Sequence, residues 1–204
     1  MIRSFIALSI PEPIADLVDD IQTGLRGVHW TPGEDLHLTL AFLGDQDRHS
    51  LADLDAGMVK LDHPRIALTL SGVDAFGGGQ PRSAHVGVVE NPDLRRLHEK
   101  VAQIARRARL EIEERRFAPH VTIARWRRGA VGPEAMARFA AAHNLFRAGP
   151  FEVDAVRLFR SDLGRDGPRY EEMAAYPLGR AAGLSAPEAD PRTDETLRRR
   201  RLRG

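Results

Sequence analysis

His37-Leu38-Thr39-Leu40 and His120-Val121-Thr122-Ile123 are two copies of one pattern: imidazole, apolar, hydroxyl, apolar. Strand alternation puts His and Thr on one face and the two aliphatic side chains on the other. The aliphatic face can then fill a core while imidazole and hydroxyl share a cleft. With eight His and seven Thr in 204 residues, the pattern should arise by chance about 0.05 times per chain at this apolar fraction. One copy would be an ordinary polar strand face. Two copies at equivalent places point to a shared site.

The surroundings of the two copies match in element order. Arg3 to Ser9 alternates as a strand, and Ile14, Leu17, Val18, Ile21 and Leu25 recur at helical spacing before Gly27. The strand Leu36 to Leu43 carries the first copy and turns at Gly44-Asp45. A helix marked by Leu51, Leu54, Met58 and Leu61 follows, with Ser50 as its expected cap, and then a strand from Ile66 to Val73. Gly77, Gly78, Gly79 and Pro81 read as a turn and not a phosphate cradle, since no Gly-Lys-Ser/Thr follows. The second half repeats the order. Ser83 to Val89 is a strand, Asn91-Pro92 opens a helix with Leu94, Leu97, Val101, Ile104 and Ala108 inward, and His120 to Ala124 is the second His strand. Pro133 opens a helix with Met136 and Phe139 inward, and strands are expected at Phe151 to Phe159 and about Arg169 to Tyr176. Strand, helix, His-strand, helix, strand thus occurs twice, as in a pseudo-twofold molecule whose His strands lie side by side.

The composition limits what the site can be. At 42% apolar the chain can bury a real core in one domain or two small lobes. Met1 to Ile10 reads as a strand and not a signal peptide, and no apolar run approaches the roughly 18 residues of a spanning helix. A cytoplasmic protein is therefore expected. With no Cys, disulfides, thiolate nucleophiles and Cys-ligated zinc are excluded. Residues 180–204 hold seven Arg against four acids and read as a disordered tail; residues 1–179 keep 23 basic and 25 acidic side chains. A body with a net charge of −2 is no general nucleic-acid coat, so any nucleic acid is expected to be held at a small local site.

Imidazole is the side chain whose ordinary pKa lets it act as acid or base near neutral pH, so two facing imidazoles can perform both halves of a proton-transfer reaction. Opening a cyclic phosphodiester needs that arrangement. One His takes a proton from water, the other protonates the departing ribose oxygen, and near in-line geometry sets them on opposite sides of phosphorus. Thr39 and Thr122 can donate to the non-bridging oxygens, whose charge grows during reaction. Neither copy carries a second ligand at metal spacing, and Asp45, Asp47 and His49 read as a solvated turn and helix start, so neither metal nor cofactor is expected. His29, His63, His85, His98 and His143 lack the Thr partner and read as surface or satisfied structural histidines.

The extended stretches His37-Leu-Thr-Leu-Ala-Phe-Leu-Gly44 and Phe117-Ala-Pro-His120-Val-Thr-Ile-Ala-Arg125 closely resemble the two motifs of the two-histidine phosphoesterases, in the branch of RNA 2',3'-cyclic phosphodiesterases also called 2'-5' RNA ligases. The likeness includes Arg3-Ser4-Phe5-Ile6-Ala7-Leu8 and Trp30-Thr31-Pro32 and covers about residues 1–178. It implies an α+β fold of one bilobal domain, residues 1–179, each lobe an antiparallel sheet backed by helices, with the site in the central groove. It also implies metal-independent hydrolysis of the cyclic phosphate to a 2'-phosphomonoester, and 2'-5' joining of RNA ends in reverse. By the same resemblance His37 is the proton donor and His120 the acceptor. Arg125 matches the phosphate-binding Arg, and a guanidinium offers a charged fork suited to phosphate oxygens. Phe42 matches the base-stacking position, although strand pattern alone also fits a core residue.

Trp30 and Trp126 fit core or groove wall, and Arg115, Arg116, Arg127 and Arg128 are candidate contacts to RNA beyond the reacting end. His29 stands where the family carries Arg or Lys, and the tail after Gly179 has no counterpart there. Two other readings use the same motifs: a cyclic phosphodiesterase for a small nucleotide such as ADP-ribose 1'',2''-cyclic phosphate, and a module that binds a phosphorylated ligand without turnover. Two intact His argue against the second, since a pure binder needs no proton-transfer pair. RNA ends or small cyclic nucleotides are thus the expected partners of a monomer with no membrane association.

Overall fold

The computed structural model describes residues 1–77, 79–112, 116–164 and 167–179. The Arg-rich stretch 180–204 and Arg115 lie outside the described residues. In chain order the elements are β1 (Ile2–Ser9), α1 (Glu12–Asp19), β2 (His29–Trp30), β3 (His37–Gln46), α2 (Arg48–Met58), β4 (Ile66–Phe76) and β5 (Ser83–Val88). They continue with α3 (Pro92–Arg107), β6 (His120–Arg125), α4 (Pro133–Ala142), β7 (Arg147–Val153), β8 (Ala155–Gly164) and β9 (Gly167–Pro177). The doubled order read from the sequence is present, and the fold is α+β.

All strand pairs are antiparallel, in the spatial order β7-β4-β5-β6-β3-β1-β8-β9, with β2 beside β6. Along that eight-strand path four strands lie on each side of the seam between β6 and β3, and the ninth, β2, pairs with β6 off the path. That seam is one register pair, Leu38 opposite Val121, both fully buried. The lobes do not follow the sequence halves, because β4 pairs with β5 in the second lobe while β8 and β9 return to β1 in the first. The single strand expected over Phe151 to Phe159 is therefore two. Phe151 and Val153 lie opposite β4, the ladder breaks at Asp154, and Val156 and Leu158 continue in the other lobe. The Asp154 carbonyl, freed at the crossing, accepts from Leu178 N–H at 2.6 Å.

The helices bury apolar stripes against the sheet, with Leu94, Leu97, Val101 and Ala105 of α3 and Met136 and Phe139 of α4 in one continuous core. The Asn91 side chain caps α3 as expected, accepting from Asp93 and Leu94 N–H at 2.9 and 3.0 Å. The cap of α2 is Asp47 and not Ser50: its carboxylate accepts from Ser50 N–H at 2.9 Å, with Ser50 already in the first turn. Among the described residues no helix is long and apolar enough to cross a membrane.

Each His strand carries a bulge at the same place after its His. Against β1, Ala7 faces Thr39 and Ile6 faces Ala41, leaving Leu40 extra; against β5, His85 faces Thr122 and Ala84 faces Ala124, leaving Ile123 extra. An extra residue shifts strand parity, so the next side chains change face. Leu40 and Ala41 are consecutively buried, as are Ile123 and Ala124. Each extra residue's carbonyl finds a donor outside the main ladder. Leu40 O accepts from His98 Nδ1–H on α3 at 2.9 Å, and Ile123 O accepts from Thr31 N–H just after β2 at 2.9 Å. His98 is held flat against Phe117, centroids 3.9 Å apart, so it is a satisfied structural histidine with a definite task.

His98→Phe keeps an aromatic ring on Phe117 but leaves the Leu40 carbonyl unpaired, and a stability loss of about 1–3 kcal/mol is expected in urea unfolding. An unchanged unfolding midpoint would show that this bond does not secure the bulge.

Candidate active site

His37 and His120 begin their strands, and each ring is fixed in the same way. His37 Nδ1–H donates to Asp35 O at 2.7 Å and His120 Nδ1–H to Ala118 O at 2.8 Å, in both cases the carbonyl two residues earlier. A carbonyl can only accept, so the bond places the proton on Nδ1 and leaves the Nε2 lone pair of the neutral ring free. Carrying the Leu38–Val121 register one residue to each side sets His37 opposite Thr122 and Thr39 opposite His120. The two His occupy diagonal corners of this quartet, their backbones roughly 8 Å apart from strand rise and spacing. A diagonal pair can address opposite sides of one phosphorus.

The paired bulges decide where Phe42 and Arg125 point. Strict alternation would send both to the core face, with Leu38 and Val121 respectively. The parity shift turns them outward, five residues after His37 and His120, and Phe42 is 52% exposed. Phe42 is therefore no core residue. Arg125 lines a pocket of about 270 Å³ together with His37, Phe42, Phe5 and Tyr170, and also a neighbouring one of about 440 Å³ with His29, Trp30 and Arg169. A larger cavity, about 600 Å³ between α2 and α3, holds no imidazole.

Both imidazoles are held below the ordinary 6.5. For His37 burial is the main cause, countered by the bond to Asp35, with Arg125 and His120 lowering it further. For His120 burial again leads, countered by the bond to Ala118, with Arg125 lowering it. Both rings are therefore neutral in most molecules of the free protein at neutral pH, and a bound anion would favour protonation.

An aromatic wall surrounds His37. Phe5 lies 4.8 Å away and Tyr170 meets it edge-on at 5.0 Å, while Phe159 stacks on Phe5 at 5.2 Å. Sequence reading missed Phe5, Phe159 and Tyr170 as site residues, because strands β1, β8 and β9 converge here only through pairing. It also misread His85. This residue is 93% buried, its Nδ1 has no partner among the described residues, and its ring stands 5.2 Å from His120, edge-on. Its place opposite Thr122 puts it on the groove face, which local pattern could not reveal.

Trp126 is a core residue with Nε1–H bonded to Pro81 O at 2.8 Å, whereas half-buried Trp30 lines the pocket beside Arg125. His29 is exposed and directly opposite Arg125 in the β2–β6 pairing. Arg116, Arg127 and Arg128 are exposed. His63 Nδ1–H donates to Pro64 O at 2.9 Å, and His143 ends α4 against Phe139. Among the described residues no three His, Cys, Asp or Glu side chains could together hold a metal ion.

Residues 10–165 match the 2'-5' RNA ligase superfamily. The chain is 33% identical to an RNA 2',3'-cyclic phosphodiesterase of Geobacillus stearothermophilus over 97% of its own length; it spans 62% of that relative. It is 30% identical to an RNA 2',3'-cyclic phosphodiesterase of Bacillus subtilis, with 85% of this chain and 95% of the relative covered. Among solved structures it resembles TT0787 of Thermus thermophilus with a TM-score of 0.70 at 27% identity, covering 86% of this chain and 97% of that one.

The charge of Arg125 depresses both imidazoles, so its removal must raise both. In an NMR pH titration of the free protein, His37 and His120 are expected to titrate below 6.5, each with Nδ1 protonated when neutral. Arg125→Met should move both midpoints upward. A midpoint above 6.5 in the unmodified protein, or no movement in the variant, would contradict this electrostatic reading.

Proposed function

The chain belongs to the 2'-5' RNA ligase superfamily, and from that premise we propose that it opens RNA 2',3'-cyclic phosphate ends to 2'-phosphomonoesters, using two imidazoles and no metal. The observation that carries the proposal is the matched pair of Nδ1–H bonds at 2.7 and 2.8 Å, which frees two Nε2 atoms on diagonal corners of one groove. The relatives' activity supports the substrate class. Residues 1–179 would form the catalytic unit, acting as a monomer in the cytoplasm.

In this reading neutral His120 accepts a proton from water at Nε2 as the oxygen attacks phosphorus. The bond from phosphorus to the ribose 3' oxygen breaks, and protonated His37 gives its Nε2 proton to that oxygen. The phosphate stays on the 2' oxygen. His120 then returns a proton to solvent and His37 regains one. Arg125 would bind the non-bridging oxygens with its guanidinium fork, and Thr39 and Thr122 would donate to them as charge accumulates. Phe42, exposed at the rim of the His37 pocket, offers a face for the terminal base. If an RNA 5'-hydroxyl takes the place of water, the same steps produce a 2'-5' linkage.

Fixed tautomers favour proton transfer over simple anion binding. A binding module would gain more from permanent cations than from two imidazoles held below 6.5.

The test is product analysis on an RNA oligomer ending in a 2',3'-cyclic phosphate, with excess EDTA and with ADP-ribose 1'',2''-cyclic phosphate in parallel. Formation of the 2'-phosphate at undiminished rate in chelator is expected. His37→Ala and His120→Ala should each lower kcat by about 10²- to 10⁴-fold, the usual contribution of general acid–base catalysis. Loss of turnover in EDTA would overturn the two-histidine mechanism, and turnover of the small nucleotide alone would overturn the substrate.

A further inference from the structure

His85 lies within the groove and the reaction above gives it no task. It stacks on Phe76 with centroids 4.0 Å apart and planes 14° from parallel, and it faces Thr122 across the β5–β6 ladder. Phe76 also meets His120 edge-on at 4.6 Å, so the three rings form one packed unit on the His120 side. The titratable groups facing His85 are His120 on β6 and Asp74, its register partner on β4.

Of the two ring nitrogens only Nδ1 is both sealed and unpaired. A buried N–H without a partner is rarer and less tolerated than an unused lone pair. The better arrangement therefore puts the lone pair on Nδ1 and the proton on Nε2. We propose that His85 is a third imidazole of the site, neutral and protonated on Nε2, which donates a hydrogen bond to a phosphate oxygen of the bound ligand. This rests on reading the groove as a phosphate-ester site. Burial, reinforced by His120 and opposed by Asp74, pushes His85 down to about 4, so the ring is uncharged at neutral pH.

Neutrality gives the residue a chemical advantage at this position. A second cation beside His120 would depress further a base that burial and Arg125 already hold below 6.5. A neutral N–H adds a donor for the oxygens without that effect. The donor comes from β5, a different strand from Arg125 and the two Thr, so the phosphate would be contacted from a third direction.

The experiment combines spectroscopy on the unmodified protein with two substitutions. Long-range proton–nitrogen NMR, with the His85 signals assigned from the variants, is expected to show the Nε2–H tautomer and a change at Nε2 on adding inorganic phosphate. His85→Gln keeps an N–H donor at similar reach, and His85→Phe keeps the stack without one. Phosphate affinity and kcat/KM on the cyclic-phosphate RNA should fall about 10- to 100-fold in the Phe variant, the range for losing a hydrogen bond to a charged group. The Gln variant should stay within roughly threefold of the unmodified protein on the same basis. An Nδ1–H tautomer, no response to phosphate, or equal losses in both variants would overturn the proposal and leave His85 as packing. The spectroscopic result holds even if the Phe variant fails to fold. Failure of the reaction reading looks different: phosphate still binds and shifts His85 Nε2, but no cyclic phosphate is opened.

Discussion

The groove depends on one register pair. Leu38 and Val121 are the point where the two lobes join in a single antiparallel order, and both are fully buried. Because side chains alternate along a strand, fixing this pair toward the core puts His37, Thr39, His120 and Thr122 together on the other face. A slip of one residue would bury the four polar groups and expose Leu38, Leu40, Val121 and Ile123, so the hydrophobic core itself enforces the alignment of the site. The core here secures the fold and the spacing of the two His-Thr pairs by the same contact.

Alternation alone would give a poorer site. Five residues beyond each His, a regular strand returns to the core side, where an Arg could be buried only at a large cost in desolvation. The bulges at Leu40 and Ile123 remove that conflict by changing parity after the His and Thr have been placed. Each leaves a carbonyl outside the ladder, and the fold supplies a donor from a separate segment: His98 from α3, or the Thr31 amide after β2. Elements distant in sequence thereby help determine where Phe42 and Arg125 point.

Legibility in the sequence followed the range of the interactions. The His strands, the helices, the Asn91 cap and the doubled order were readable because periodicity and capping act over a few residues. The exchange of strands between lobes was not, since nothing local in Ile66–Phe76 specifies pairing with β5 and β7. The same limit hid Tyr170 and Phe5, which meet His37 only after β9 and β1 are assembled around it. It hid the buried place of His85 beside His120 and the bond made by His98 as well, because burial or a hydrogen bond 58 residues away leaves no mark in the neighbouring sequence. Phe42 is the intermediate case: both its readings were legible, and the bulge decided between them.

The pseudo-twofold axis raises a further physical question, because a symmetric pair of imidazoles could bind a substrate in either direction. The molecule breaks the symmetry in the residues around the pair. At equivalent strand positions stand Phe42, an aromatic face, and Arg125, a charged fork. His37 is enclosed by Phe5 and Tyr170, whereas His120 is flanked by Phe76 and His85. Opposite Thr39 the first lobe has Ala7, and opposite Thr122 the second has His85. On the function proposed above, a ligand with a base at one end and a phosphate at the other would bind in one orientation, base toward Phe42 and phosphate oxygens toward Arg125. In the reaction proposed above, two chemically similar histidines could then take different parts because the lobes present different neighbours to an asymmetric ligand.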